Sequence, residues 1–442
     1  VAFELQCRHV GMTGKTKPHR QHWARHHRVL AAVLIVLIVV GVGLAIAQDQ
    51  ETLRIRTSLG ISDPRFPQYL AELLGHRLTS SNSYVVYTNG DTALPAMLRA
   101  IDGAHERVSL ETYNFEEGEI ASRFTDALAR AAQRGVNVRM VLDAIGSKKM
   151  SRSDIDRLED AGCHVEWVNP VISYSIGEAN FRTHRKALVV DGRVAFVGGM
   201  GIGDHYWKDT KSYPRWRDTH VELRGPAVTD VEAAFNQNWI LTSEVVEPVV
   251  RPAEAVPGGT AQSIVVWSSR QTGANEMKLL FLLAIAAARH TIDLESPYLI
   301  TDESSAWSLH EARRRGVHIR MLVDGDKTDA KAVKFAGRGQ YEHLLEDGIE
   351  IAEYQPTMMH AKAMMVDGLF SVVGSANFDN RSLELNDELS VAVFDPALTA
   401  RLESDFEKDL LVSKKIDLES WRSRPFPERT RDWLWSYFGE VF

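Results

Sequence analysis

Arg134-Gly-Val-Asn-Val-Arg-Met-Val-Leu-Asp143 returns, little changed, as Arg315-Gly-Val-His-Ile-Arg-Met-Leu-Val-Asp324, 181 positions along the chain. The flanks repeat too. Val108-Ser-Leu-Glu111 matches Ile292-Asp-Leu-Glu295 at an offset of 184, and the runs leading to Pro170 and Pro356 match at 186. Near-constant offsets over three blocks mark an internal duplication. Each copy reads as a β-branched strand (107–112 and 291–295), a helix (120–134 and 303–315), a second strand (136–142 and 317–323), and a further helix and strand ending at the proline. Strands alternating with helices predict an α/β fold with helices packed on a central sheet. The halves run over 82–246 and 261–442. Residues 247–260, with prolines at 248, 252 and 257, read as the linker between them, and 48–81 as a linker into the first.

The 442 residues carry a net charge of -8, unevenly spread. Residues 1–47 hold six Lys/Arg and one acid, so the remainder is strongly acidic. Nucleic-acid binding is driven by phosphate neutralisation, and so acidic a domain is not expected to bind it. Val29 to Ala47 is a run of 19 residues without a charge. As a helix rising about 1.5 Å per residue it nearly matches a hydrocarbon core of roughly 30 Å. The tail 1–28 is basic, and Gln48-Asp49-Gln50-Glu51 after the run is acidic. The positive-inside rule therefore predicts a single-pass helix with its tail in the cytoplasm and the large domain outside. Ala45-Ile46-Ala47 looks like a signal-peptide cleavage site, but the long basic leader and long apolar run favour an uncleaved anchor. Cys7 and Cys163 lie on opposite sides of this segment and are not expected to pair.

The chemistry is carried by His-x-Lys-x4-Asp, present as His184, Lys186, Asp191 and again as His360, Lys362, Asp367. Each Asp is followed by Gly (Gly192, Gly368), and a further Gly comes seven residues past it (Gly198, Gly374). One such match is a weak signal; two at equivalent places in a duplicated frame are strong. The runs 183–190 and 194–198, and 359–366 and 370–374, read as hairpins turning at Asp-Gly. Strand spacing then points each His and Lys the same way. A lysine in an apolar run is costly to bury unless it meets an anion. Asp191 and Asp367 could serve the turn alone or take part in catalysis.

Two histidines with two lysines suit phosphoryl transfer without a metal or other cofactor. One imidazole attacks phosphorus and the other protonates the leaving alcohol. The lysines neutralise the non-bridging oxygens. No Cys or His pair at ligand spacing supports zinc. A nucleophilic histidine needs its far nitrogen oriented by a carboxylate. Asp218, 34 residues after His184, reads as its partner, and Glu388, 28 after His360, holds the matching place in the second half.

These motifs resemble the phospholipase D superfamily. The surrounding text is similar to bacterial cardiolipin synthases at Leu110-Glu-Thr-Tyr113, Asp143-Ala-Ile-Gly-Ser147, Trp216-Arg-Asp-Thr-His220, Ser296-Pro-Tyr298, Tyr354-Gln-Pro356 and His360 through Glu388, within a likeness over 82–425. The resemblance implies two α/β/α halves related by a pseudo-twofold axis, with one active site between them. It implies joining of two phosphatidylglycerols into cardiolipin with release of glycerol, at a bacterial cell membrane, with His184 as nucleophile. A hydrolytic phospholipase D or another phosphodiesterase of the superfamily is the alternative. Gly199, Ser375 and Asn377, after the motifs, are the implied substrate-binding positions. One departure stands out: Asn377 follows Gly374 by three, as the family pattern has it, whereas Gly201 takes that place after Gly198. The aromatic and basic residues from Arg429 to Phe442 suit either a lipid interface or core packing.

Overall fold

The computed structural model describes residues 52–169, 182–211, 213–247, 252–269 and 275–437, together with Leu30 and Val33. The membrane segment expected over 29–47 otherwise lies outside these residues, as do Cys7 and the C-terminal Phe438 and Phe442. Among the described residues no helix is long and apolar enough to cross a membrane.

The first half supplies strands β1 (Leu78–Thr88), β2 (Arg107–Thr112), β3 (Asn137–Asp143), β4 (His164–Val168), β5 (Ala187–Val190), β6 (Val194–Gly198) and β7 (Thr219–Arg224). The second supplies β8 (Ala261–Trp267), β9 (Thr291–Glu295), β10 (His318–Asp324), β11 (Glu350–Tyr354), β12 (Ala363–Val366), β13 (Phe370–Gly374), β14 (Leu389–Phe394) and β15 (Ser413–Ile416). All 15 form one mixed sheet in the order β15-β11-β10-β9-β12-β13-β14-β8-β1-β7-β6-β5-β2-β3-β4. Apart from β15 the order reads alike from either edge, with β1 and β8 meeting antiparallel in the middle. In each half three parallel strands (β2-β3-β4 and β9-β10-β11) are joined by helical crossovers, as parallel neighbours require. The antiparallel pairs β5–β6 and β12–β13 follow.

The two halves share core. Val189, Val197 and Val221 of the first lie in one buried cluster with Ala363, Val373 and Val391 of the second. The stretch expected to be a linker over 48–81 is instead part of the fold from residue 52. Phe66, Leu70 and Leu74, four apart on the helix Phe66–Leu74, are buried in the second half's core, and β1 begins at Leu78. At the C-terminus, Asp432 is buried under Arg338, Arg424 and Arg431, while Trp433 and Tyr437 on the same helical segment are exposed.

Asp191 and Asp367 resolve in favour of the turn. Both adopt left-handed backbone (φ 52° and 55°) ahead of Gly192 and Gly368. The Asp191 carboxylate accepts the backbone N–H groups of His105, Glu106 and Arg107 at 2.8–3.0 Å. Asp367 does the same for Arg289, His290 and Thr291 at 2.7–2.9 Å. Each carboxylate ties a hairpin tip to the start of the neighbouring strand, β2 or β9. They lie past the far end of β5 and β12 from the histidines, so their place in the motif is architectural.

Candidate active site

The histidines and lysines were expected on strands. They instead lie just before them: β5 starts at Ala187 and β12 at Ala363, and the residues ahead make only isolated pairings. Those pairings cross between the halves. Thr183 bridges to Asp387 and Met359 to Arg217. His184 N–H donates to the Asp387 carbonyl at 2.8 Å, and His360 N–H to that of Arg217 at 2.6 Å. The next residue along each partner is the carboxylate, so each histidine meets the acid of the other half. His184 Nδ1 lies 2.9 and 3.0 Å from the Glu388 oxygens, and His360 Nδ1 lies 2.7 Å from Asp218 Oδ2. The pairing of Asp218 with His184 expected from sequence order is thus corrected: the acids are exchanged across the interface.

Each lead-in segment is pinned by the residue that closes the duplicated stretch. Asp143 Oδ2 accepts the Thr183 N–H at 3.2 Å, and Asp324 Oδ1 accepts the Met359 N–H at 2.8 Å. Arg217, buried, holds the segment before Asp218 through Asp409 at 2.7 Å and Thr219 at 2.8 Å. Sequence reading missed these positioning roles; the repeated Asp143 and Asp324 were the available signal.

His184, Lys186, His360 and Asn377 line one cleft of about 650 Å³, with Tyr113, Tyr206, Trp216, Arg182 and Arg381 around them. Tyr206 and Trp216 each pack 5.5 Å from the His360 ring, and Tyr113 lies 5.2 Å from that of His184. Lys186 and Lys362 bend back onto the carbonyls of His184 and His360 at 2.8 and 2.6 Å. Burial lowers Lys186 to about 7 and Lys362 to about 8, so both are primed to gain from an anion.

The other two implied substrate-binding positions do not line the cleft. Ser375 is fully buried, and its hydroxyl donates to Glu388 Oε2. Gly199 follows the equivalent strand, β6, and lies against Asp218, where a Cβ would collide with the carboxylate and come within 2.8 Å of the His360 carbonyl. So one acid has a hydroxyl donor and its counterpart has bare backbone.

The two pairs also differ electrostatically. Burial drives Asp218 up to about 7 against the pull of Lys362 and the Thr219 N–H. Burial opposes ionisation of Glu388 as well, but His184, Lys186 and the Ser375 hydroxyl outweigh it and hold the acid at about 2. Burial lowers His184 to about 4 despite Glu388, and burial with Lys362 and Lys186 takes His360 well below its ordinary value. Ionised Glu388 can only accept, so His184 carries its proton on Nδ1 and leaves an Nε2 lone pair. A protonated Asp218 donates to Nδ1 of His360 and fixes the tautomer with N–H at Nε2. Below neutrality the His184 pair thus presents an Nε2 lone pair and the His360 pair an Nε2 proton, with the proton shared by the Asp218–His360 unit rather than owned by either residue.

The family described as "Cardiolipin synthase, PLD-like domain" matches residues 97–239 and 281–410, more than half of the chain. This chain belongs to that family. Among its relatives, the cardiolipin synthase of Geobacillus sp. (strain WCH70) is 34% identical over 358 residues, covering 78% of this chain and 69% of that one. The cardiolipin synthase of Geobacillus thermodenitrificans is 33% identical over 376 residues, covering 82% and 73%. The crystal structure of phosphatidylserine synthase from Haemophilus influenzae Rd KW20 matches with a TM-score of 0.66 at 12% identity, covering 86% of this chain and all of that one. At that identity the likeness speaks for the fold alone.

Proposed function

We propose that this enzyme is a membrane-bound phosphatidyltransferase that joins two phosphatidylglycerols into cardiolipin and releases glycerol. The observation that carries the reading is the crossed pair of His–carboxylate contacts in a single cleft, in a chain whose relatives are named cardiolipin synthases. His184 Nε2 attacks phosphorus, and the bond from phosphorus to the departing glycerol oxygen breaks. That oxygen takes the proton from Nε2 of His360, which is replenished from Asp218. The resulting phosphohistidine is attacked by the glycerol hydroxyl of a second lipid, whose proton returns to the His360–Asp218 unit. The phosphorus–nitrogen bond breaks and His184 is restored. Lys186 and Lys362 offset charge on the phosphoryl oxygens in a buried setting, where such interactions are strong.

Transfer and hydrolysis share the first step and differ in the acceptor. A site held against a bilayer by the segment at 29–47, on the outer side of the cell membrane, would meet lipid hydroxyls at high local concentration. Purified protein in phosphatidylglycerol vesicles should therefore yield cardiolipin and glycerol in equal amounts. Phosphatidic acid as the dominant product would replace this reading with the hydrolytic one.

A further inference from the structure

The sequence leaves the first half without the side-chain amide that the second half has in Asn377. The structure contains another. Phe115 bridges to Ile202, and Leu299 bridges to Phe378, the same pairing in the two halves. The residues one step earlier are therefore equivalent: Asn114 with Tyr298, and Gly201 with Asn377. In the second half the amide stands on the second segment of the bridge and a tyrosine on the first. In the first half the amide stands on the first segment and glycine on the second.

The exchange is steric as well as positional. A Cβ placed on Gly201 would lie far closer to the Asn114 side-chain oxygen than any non-bonded contact allows. The Asn114 carboxamide thus fills the space into which a side chain at 201 would begin. Asn114 is 7% exposed, lines the same cleft as His184 and His360, and meets the Tyr206 hydroxyl. Its Oδ1 has no hydrogen-bond partner among the described residues, and neither has Oδ1 of Asn377. The end of the Asn114 amide turned away from Tyr206 is thus left unpaired in a buried setting, which is costly and points to a bound group beside it.

We propose that Asn114 is the substrate-binding amide of the first half, reaching the phosphoryl group from the side opposite Asn377 and standing in for the side chain absent at Gly201. Turning the amide about its last torsion exchanges oxygen and nitrogen within one shape. Its oxygen then accepts from the Tyr206 hydroxyl, and its N–H groups face a phosphoryl oxygen. The assignment rests on the phosphoryl-transfer reading above, and its test separates the two.

The full-length protein and the variants Asn114→Ala, Asn114→Leu, Gly201→Asn and Asn114→Ala/Gly201→Asn are compared in two assays. One follows kcat and KM for transfer in phosphatidylglycerol vesicles. The other measures binding of orthovanadate, a phosphate mimic, by calorimetry, with thermal melting to check folding. Asn114→Ala and Asn114→Leu should each lower kcat/KM about 10- to 100-fold and weaken vanadate binding, although leucine keeps the volume. Gly201→Asn alone should also lose activity, because two side chains compete for one space. The double variant should recover to within a few-fold of the original in both assays. Unchanged vanadate binding and kcat/KM in Asn114→Leu would overturn the proposal, as would a folded double variant no better than Asn114→Ala. If the unaltered protein turns over no phosphatidylglycerol, the lipid assignment fails and the vanadate series alone decides the role of Asn114. If Gly201→Asn does not fold, the leucine variant decides.

Discussion

The two halves of this enzyme share a strand order and a motif, histidines included, yet differ in the carboxylates that those histidines meet and in what stands beside each carboxylate. Glu388 in the second half has the Ser375 hydroxyl and stays ionised, whereas Asp218 in the first has Gly199 beside it and rises to about 7. Because the acids are exchanged across the interface, the second half's strong acid serves the first half's histidine, and the reverse. The difference teaches how a duplicated site can do an unsymmetrical job. Nucleophile and acid need opposite tautomers of one side chain, and the two carboxylates differ in the direction that would separate them, chiefly through the pull of His184 and Lys186 on Glu388, with the Ser375 hydroxyl adding to it.

The largest effect that would break this comparison is at the histidines. His184→Ala should reduce transfer to background, because no nucleophile remains. His360→Ala should cost about 10²–10⁴-fold and be partly rescued by a substrate with a better leaving group, since only proton transfer is lost. Equal, unrescued losses would remove the division of labour.

The carboxylates come next. Glu388→Gln should cost on the order of 10⁴-fold, as loss of a charge that fixes a catalytic imidazole does elsewhere. Asp218→Asn should cost closer to about 10²-fold, because an amide N–H can still donate to Nδ1 and hold the same tautomer. Steady-state rates for the two variants in one vesicle preparation settle the order.

The pH profile sharpens the same point. His184 must be unprotonated, so kcat/KM should fall as pH drops through about 4. The Asp218–His360 unit must hold its proton and Lys186 its charge, so kcat/KM should fall as pH rises past about 7. Both limbs report coupled groups and not single residues. Asp218→Asn should weaken the alkaline limb and leave the acid limb in place.

Smaller effects separate scaffold from chemistry. Asp191→Ala strands three backbone N–H groups and should cost about 3 kcal/mol of stability, with little change in kcat of the folded enzyme. A large loss of kcat at unchanged melting temperature would return Asp191 to the catalytic set. Ser375→Ala removes one donor to a charged acceptor and should cost about 2 kcal/mol, while moving the alkaline limb not at all.

Much of this was legible in the sequence. The strands at 107–112 and 291–295 and the helices after them come from local pattern, and local pattern is what a sequence exposes. The histidines, lysines and both acids were legible as well, because catalytic residue types stood at duplicated positions. The partner of each acid was not. It depends on bridges between Thr183 and Asp387 and between Arg217 and Met359, which join segments some two hundred and some one hundred and forty positions apart. The roles of Ser375 and Gly199 were misread for a similar reason: a small residue after a strand looks like a phosphate ligand until its neighbour is known. Asn114 was invisible because Gly201 suggested an absence, and only the packing shows what fills the space.

The central claim, that the crossed pairs make His184 the nucleophile and His360 the acid, is tested most directly by trapping the intermediate. Enzyme mixed with radiolabelled phosphatidylglycerol for a few milliseconds is quenched in alkali, where a phosphoramidate survives, and the adduct is mapped by peptide. The label should lie on His184 alone and should accumulate in a variant slowed at the second step, His360→Ala, when a good leaving group is supplied. Label on His360 with none on His184 would contradict the account.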